Sequence, residues 1–216
     1  MQAIFLGTFN PPHKGHKDAI ESFIDYFCKY PNKDKYDVIH IIPCWQNPNK
    51  SKSTDYWDRY QMCKLEFANM NIQNYKFHIS IDVIEATLKP TYTYELIDYL
   101  KANKDRIIDS DFWWIITEET IEELIDNKWK ESERLLKENK FIVLYPEERG
   151  YVSFKVNDYF EEIDKWPGDY MYIPLVSSTD IHSTQLREMI KNNEDVFPYI
   201  NLGTQTYIKT HNLYKE

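Results

Sequence analysis

Residues 1–27 read MQAIFL, then GTFNPPHKGH over Gly7–His16, then KDAIESFIDYF. The first six residues form a short apolar run that stops at a glycine, the pattern of a buried strand. Past the loop, Ala19, Ile20, Phe23, Ile24 and Phe27 recur at helical spacing, which predicts a helix from His13 to about Tyr30. A strand that passes through a tight loop into a helix sets the theme for the whole chain.

The theme repeats. DVIHIIP at Asp37–Pro43 predicts a second strand, and Asp55 to Ala68 a helix striped by Tyr56, Tyr60, Cys63 and Phe67. YKFHISI, ending at Ile81, predicts a third strand, and TYELIDYLK from Thr93 a helix with a threonine cap. FWWII, FIVLYP and YMYIPL predict three more strands. Helical segments are expected at TIEELI to ERLLK, at STQLREMI, and from Pro198 to Thr210. Strands that alternate with helices call for parallel strands joined by crossover helices, hence an α/β sandwich. In such sheets ligands bind beyond the carboxyl ends of the strands, so the loop after the first strand is the first place to look for chemistry.

That loop carries His13 and His16, three residues apart on the first turn of a helix, with Gly15 directly before the second. Residues at that spacing share one face. A helix N-terminus offers unpaired N–H groups and the positive end of a dipole, and imidazoles beside it can donate to phosphate oxygens. Gly7 is expected to let the backbone approach a ligand closely. A lone H-x-x-H is more often a capped turn; its place after the first strand favours function. Far downstream, IHSTQLREMI at Ile181–Ile190 places Ser183 and Thr184 at another helix start with Arg187 one turn in. A guanidinium there can hold two phosphate oxygens together. VSSTDI at Val176–Ile181 looks similar but lacks an arginine at the right spacing.

Composition bounds the partners. The 216 residues carry a net charge of -9, which argues against a nucleic-acid partner while leaving room for a nucleotide held by a local cluster of donors. No run of 18 apolar residues suggests a membrane span, and the first residues lack a secretory pattern. Cys28, Cys44 and Cys63 form no close pair and read as reduced thiols, so a cytoplasmic setting is expected.

GTFNPPHKGH resembles the signature G-x-F-x-P-x-H-x-G-H of adenylyltransferases in the nucleotidylyltransferase superfamily, and IHSTQLR resembles its late motif I-S-S-T-x-I-R, with His182 for a small residue and Leu186 for isoleucine. The resemblance implies an α/β fold with a Rossmann-like doubly wound parallel sheet and helices on both faces. It implies one nucleotidylyltransferase domain over residues 1–216, whose C-terminal helical part, from about 181, completes an ATP site. His13, His16 and Arg187 would then be catalytic. Gly7, Thr8, Phe9, Gly15, Thr117, Glu119, Ser183 and Thr184 would bind ATP.

The middle of the chain narrows the resemblance to bacterial nicotinate mononucleotide adenylyltransferases. PCWQNPNK with DRYQMCKLEFAN, TYTYELIDYL, FWWIITEE, NKWKESERLL and the closing PYINLGTQTYIKTHNLY match that family in order. Three departures stand out: Asn49 in the usual P-H-K, Thr117 for glycine and Glu119 for aspartate in the segment that lies against the adenosine ribose. Asn10, Lys50, Tyr92, Thr93 and Trp129 would bind the mononucleotide, with Trp129 open to either a ring-stacking or a core reading. The implied substrates are ATP, carried with Mg2+, and a pyridine mononucleotide. Neither a protein-held metal site nor a membrane partner is expected. Nicotinamide mononucleotide as preferred substrate, pantetheine-phosphate adenylyltransfer and a non-catalytic nucleotide sensor are the alternatives.

Overall fold

The computed structural model describes residues 2–28, 37–46, 53–68, 70, 77–103, 111–162, 169–177 and 179–215. Six strands, β1 (Gln2–Gly7), β2 (Asp37–Pro43), β3 (Phe77–Ile81), β4 (Trp113–Thr117), β5 (Lys140–Pro146) and β6 (Tyr170–Leu175), form one sheet. Every pairing is parallel and the order is β3-β2-β1-β4-β5-β6. This is the doubly wound order, and it reverses between β1 and β4.

The apolar runs are continuous because the central strands are covered on both faces. Successive side chains alternate between two cores, as strand geometry requires. Ile4, Ile42, Trp114, Ile116, Phe141 and Val143 face one core, closed by α4 (Thr93–Ala102), α5 (Glu118–Ile125), α6 (Ser132–Glu138) and α7 (Phe154–Glu162). Phe5, Ile39, Ile41, Ile115, Ile142 and Leu144 face the other, closed by α1 (Lys14–Cys28) and α2 (Tyr56–Phe67). Each large side chain sealed in this way contributes roughly 1.5–3 kcal/mol. The doubly wound fold is as the sequence led us to expect.

A third apolar cluster joins Met62 of α2 to Leu186 and Ile190 of α8 (Ser183–Lys191), to Val196 and Ile200, and to Ile208 of α9 (Leu202–Thr210). Glu66 in α2 is fully buried and accepts from the Asn201 N–H at 3.0 Å and the Thr204 hydroxyl at 2.8 Å. These contacts seat the C-terminal helices on α2, beside the β1 loop.

Several local expectations need correction. The last helix starts at Leu202 rather than Pro198, because Asn201 caps it by accepting from the Thr204 N–H at 2.8 Å. Thr93 is already helical in α4. Its start is closed by the Glu95 carboxylate, which accepts from the Thr91 and Tyr92 N–H groups at 2.7 and 3.1 Å. Two helices were not foreseen: α3 (Ile84–Leu88) and α7, whose Val156 and Phe160 bury one face. Among the described residues no helix is long and apolar enough to cross a membrane.

Candidate active site

A cleft of about 2200 Å³ opens beyond the carboxyl ends of β1 and β4, where the strand order reverses. It is lined by His13, His16 and Arg187; by Gly7, Thr8, Phe9 and Gly15; by Thr117, Glu119, Ser183 and Thr184; and by Asn10, Tyr92, Thr93 and Trp129. Residues more than 170 positions apart in the chain thus share one surface. Lys50 and Asn49 lie outside the described residues.

The two glycines of the first motif make room for neighbouring side chains. A β-carbon on Gly7 would stand 2.8 Å from the ring of Phe9. That overlap gives the glycine a packing reason beside its place in the cleft lining. Phe9 is buried at a left-handed φ of 48°. Its ring meets His16 edge-on at 5.0 Å and Phe67 at 5.9 Å. A β-carbon on Gly15 would come within 3.1 Å of the His13 imidazole. Each glycine therefore allows an aromatic ring to settle where the motif needs it.

The two imidazoles lie 3.9 Å apart, centre to centre. His16 Nδ1 accepts from the His13 backbone N–H at 3.2 Å, which leaves the neutral ring's proton on Nε2. His13 is buried, and its Nδ1 has no hydrogen-bond partner among the described residues. Burial, followed by the charge of His182, pushes the His13 pKa down to about 4, so this ring is neutral at pH 7.

The late motif closes on the early one through two hydrogen bonds. Ser183 donates from Oγ to the Pro11 carbonyl at 2.9 Å, and Arg187 from Nη1 to the Asn10 carbonyl at 2.8 Å. Arg187 Nη2 also donates to Thr184 Oγ1 at 3.1 Å. The Asn10 side chain accepts from the Tyr214 hydroxyl at 2.8 Å, so the C-terminus is tied to the same loop. The α8 N-terminus and the arginine are thereby held over the histidines.

The two departures lie at the end of β4 and the start of α5. Thr117 has a φ of -78°, which any residue adopts, and its hydroxyl meets that of Thr120 at 2.9 Å. Glu119 is exposed on the first turn of α5, while Glu118 is buried and bonded to Arg149. Trp129 is partly buried. It packs against the core beside Trp114 and also lines the cleft, with its indole N–H donating to Glu123 Oε2 at 2.8 Å.

Two buried groups behind the cleft went unmarked by sequence reasoning. Arg59 donates to the carbonyls of Thr54, Thr8 and Trp45 at 2.9, 2.8 and 3.0 Å, clipping the loop after β1 to both ends of the connection between β2 and α2. Glu85 lines the cleft at 3% exposure and accepts from the Trp45 N–H. Burial pushes its pKa up from 4.5 to about 7, against the Trp45 hydrogen bond and the Arg59 charge. The folded protein thus holds this proton up to about pH 7, whereas an unfolded chain loses it above about 4.5. The resulting stability is fully present below 4.5 and lost as pH rises through 7, by about 3 kcal/mol in total. Glu85→Gln keeps the acceptor for Trp45 and removes the titration. Its Tm is expected to rise relative to wild type between pH 5 and pH 8, read by thermal melts at each pH. A constant difference across that range would contradict the assignment.

Comparisons with known proteins show the family. The cytidylyltransferase-like family model matches residues 4–189, from β1 into α8. A protein of Fusobacterium nucleatum is 31% identical over 96% of this chain and 96% of its own length; one of Clostridium tetani is 30% identical over 99% and 98%. Each is named "Probable nicotinate-nucleotide adenylyltransferase". The Plasmodium falciparum nicotinic acid mononucleotide adenylyltransferase complexed with NaAD superposes with a TM-score of 0.69 at 23% identity, covering 99% of this chain and 96% of that one. At that identity the likeness establishes the fold alone. The residues matched by the family model, together with relatives alike over nearly their whole length, show that the chain belongs to the cytidylyltransferase-like family and to the nicotinate-nucleotide adenylyltransferases.

Proposed function

We propose that the protein transfers the AMP unit of ATP to nicotinate mononucleotide, giving deamido-NAD and pyrophosphate. The observation that carries this reading is the pair of hydrogen bonds that hold Ser183 and Arg187 of α8 against Pro11 and Asn10, over His13 and His16. A 5′-phosphate oxygen of the mononucleotide attacks the α-phosphorus of ATP while the bond to the bridging oxygen of pyrophosphate breaks. No enzyme nucleophile is needed, so the chain acts by positioning and by stabilising charge.

Each group then has a task. His16 donates from Nε2 to the triphosphate, His13 presents its buried ring, and Arg187 with the α8 N-terminus takes the leaving pyrophosphate. Gly7, Thr8, Phe9 and Gly15 shape the ATP loop, and Thr117 and Glu119 border the adenosine. Asn10, Tyr92, Thr93 and Trp129 border the mononucleotide, with Lys50 assigned to the same substrate. Residues 1–216 act as one nucleotidylyltransferase domain, completed at the ATP end by the part from about 181 onward.

An adenylyltransferase that uses ATP works with a divalent metal on the triphosphate, and we assign magnesium. Among the described residues no group of three or more His, Cys, Asp or Glu could hold an ion. A magnesium ion of this kind would arrive on ATP and keep several of its waters. When bound it neutralises charge on the phosphates. The cytoplasm is the compartment we assign.

The acid is favoured over the amide by the charge around Trp129. The Asp126 carboxylate is held by Lys155 at 2.6 Å and Lys128 at 3.1 Å, so it does not stand as an unpaired charge against an anionic ring substituent. The test is pyrophosphate release from MgATP with nicotinate mononucleotide, nicotinamide mononucleotide or phosphopantetheine. The expected result is a kcat/KM for the nicotinate substrate at least about tenfold above the others, a difference of about 1.4 kcal/mol. An equal or higher value for the amide would overturn the acid preference. ATP binding without release would favour the sensor.

A further inference from the structure

His182 stands where the late motif of the family has a small residue. The chain on either side of it touches the first motif. The Ile181 carbonyl lies 3.9 Å from where a β-carbon on Gly15 would sit, and Ser183 donates to Pro11. His182 is the N-cap of α8; its backbone N–H is engaged by Gln185 Oε1 at 2.8 Å, and its exposed side chain lines the cleft with His13, His16 and Arg187. We propose that His182 is a third imidazole of the phosphate site, contacting the β- and γ-phosphate end of ATP and the departing pyrophosphate.

Two further observations point the same way. His13, over nine-tenths buried, presents a partnerless Nδ1 among the described residues and lines the same cleft, as a ring awaiting an anionic acceptor would. His182 and His13 line the same cleft, and the charge of His182 disfavours protonation of His13. A polyphosphate between them attracts both, and each imidazole hydrogen bond to a phosphate oxygen is charge-assisted. In this chain the imidazole carries its N–H donor further from the backbone than the hydroxyl of a small residue at the same position would.

The proposal rests on the adenylyltransferase reading, and its test separates the two. Wild type, His182→Ser, His182→Gln and His16→Ala are compared for KM of ATP, KM of the mononucleotide, kcat and product inhibition by pyrophosphate. Serine is a stronger N-cap than histidine, so His182→Ser does not weaken α8. We expect this variant to raise both the KM for ATP and the inhibition constant for pyrophosphate about 5- to 10-fold. The mononucleotide KM and the Tm should stay unchanged, and His182→Gln, which keeps an N–H donor, should fall between. Unchanged ATP and pyrophosphate constants in His182→Ser, with turnover lost in His16→Ala, would overturn the proposal and leave the reaction intact. Turnover retained in His16→Ala would overturn both.

Discussion

Replacing His16 with alanine is expected to lower kcat by about 10²- to 10³-fold, the effect of removing one preorganised donor to developing charge, about 2.7–4 kcal/mol. The ring is fixed before substrate arrives. Its Nδ1 accepts from the His13 N–H at 3.2 Å, and Phe9 and His13 brace its faces at 5.0 and 3.9 Å. That bond fixes the tautomer, so Nε2 bears the proton that a phosphate oxygen needs. A donor held in this way costs little reorganisation at the moment of transfer, which is why its loss falls on kcat. The KM of the mononucleotide should change little, because His16 sits with the triphosphate loop and not with Tyr92, Thr93 and Trp129. His16 is only half-buried and a smaller residue leaves the backbone of α1 intact, so the Tm should shift by no more than a few degrees. Pyrophosphate-release kinetics with a thermal melt on the same sample decide the matter. Turnover within threefold of wild type in a folded variant would remove His16 from the chemistry.

The sequence was legible where its signals are local. Apolar runs bounded by Gly7, Pro43 and Pro146 announced parallel strands, and the two motifs announced the ends of the cleft. Their juxtaposition could not be read from periodicity, because it depends on Ser183 and Arg187 reaching the carbonyls of Pro11 and Asn10 across the fold. Backbone carbonyls have no sequence signature. Resemblance supplied that pairing. The same reason hid Arg59, which reads as an ordinary polar residue on an amphipathic helix until its three carbonyl partners are seen. Glu85 was hidden differently. It sits on α3, a helix of five residues between β3 and α4, too short for its pattern to declare which side is buried. The packing role of Gly7 was hidden too: only the position of the Phe9 ring shows what fills the space beside it. Tyr214, beyond the end of α9 at Thr210, bonds Asn10 across a separation of 204 residues, a contact that no local pattern encodes.

Arg59→Met is expected to destabilise the protein by about 3–5 kcal/mol, the range for removing one side of a buried charged network. Methionine fills much of the same volume, so the loss measures hydrogen bonding more than cavity formation. Arg59 is 1% exposed, and its guanidinium serves the carbonyls of Thr8, Trp45 and Thr54. Without it three carbonyls lose their donor in a site closed to water, each at about 1–3 kcal/mol before relaxation. The Arg59 charge also favours the ionised form of Glu85, so its removal pushes that carboxyl further up. At 2–4 °C per kcal/mol for a chain of this size, the Tm should fall by roughly 6–20 °C. Function should suffer as well, because both connections border the cleft: Thr8 in the ATP loop, Trp45 and Thr54 in the segment that follows β2. KM is expected to rise for both substrates in the surviving folded fraction. Arg59→Lys separates charge from geometry. An ammonium keeps the charge but cannot span three carbonyls in one plane, so it should recover less than half of the lost stability. Urea or thermal unfolding of the three proteins gives the answer. A Tm for Arg59→Met within about 2 °C of wild type would mean that the two connections hold their places without the guanidinium.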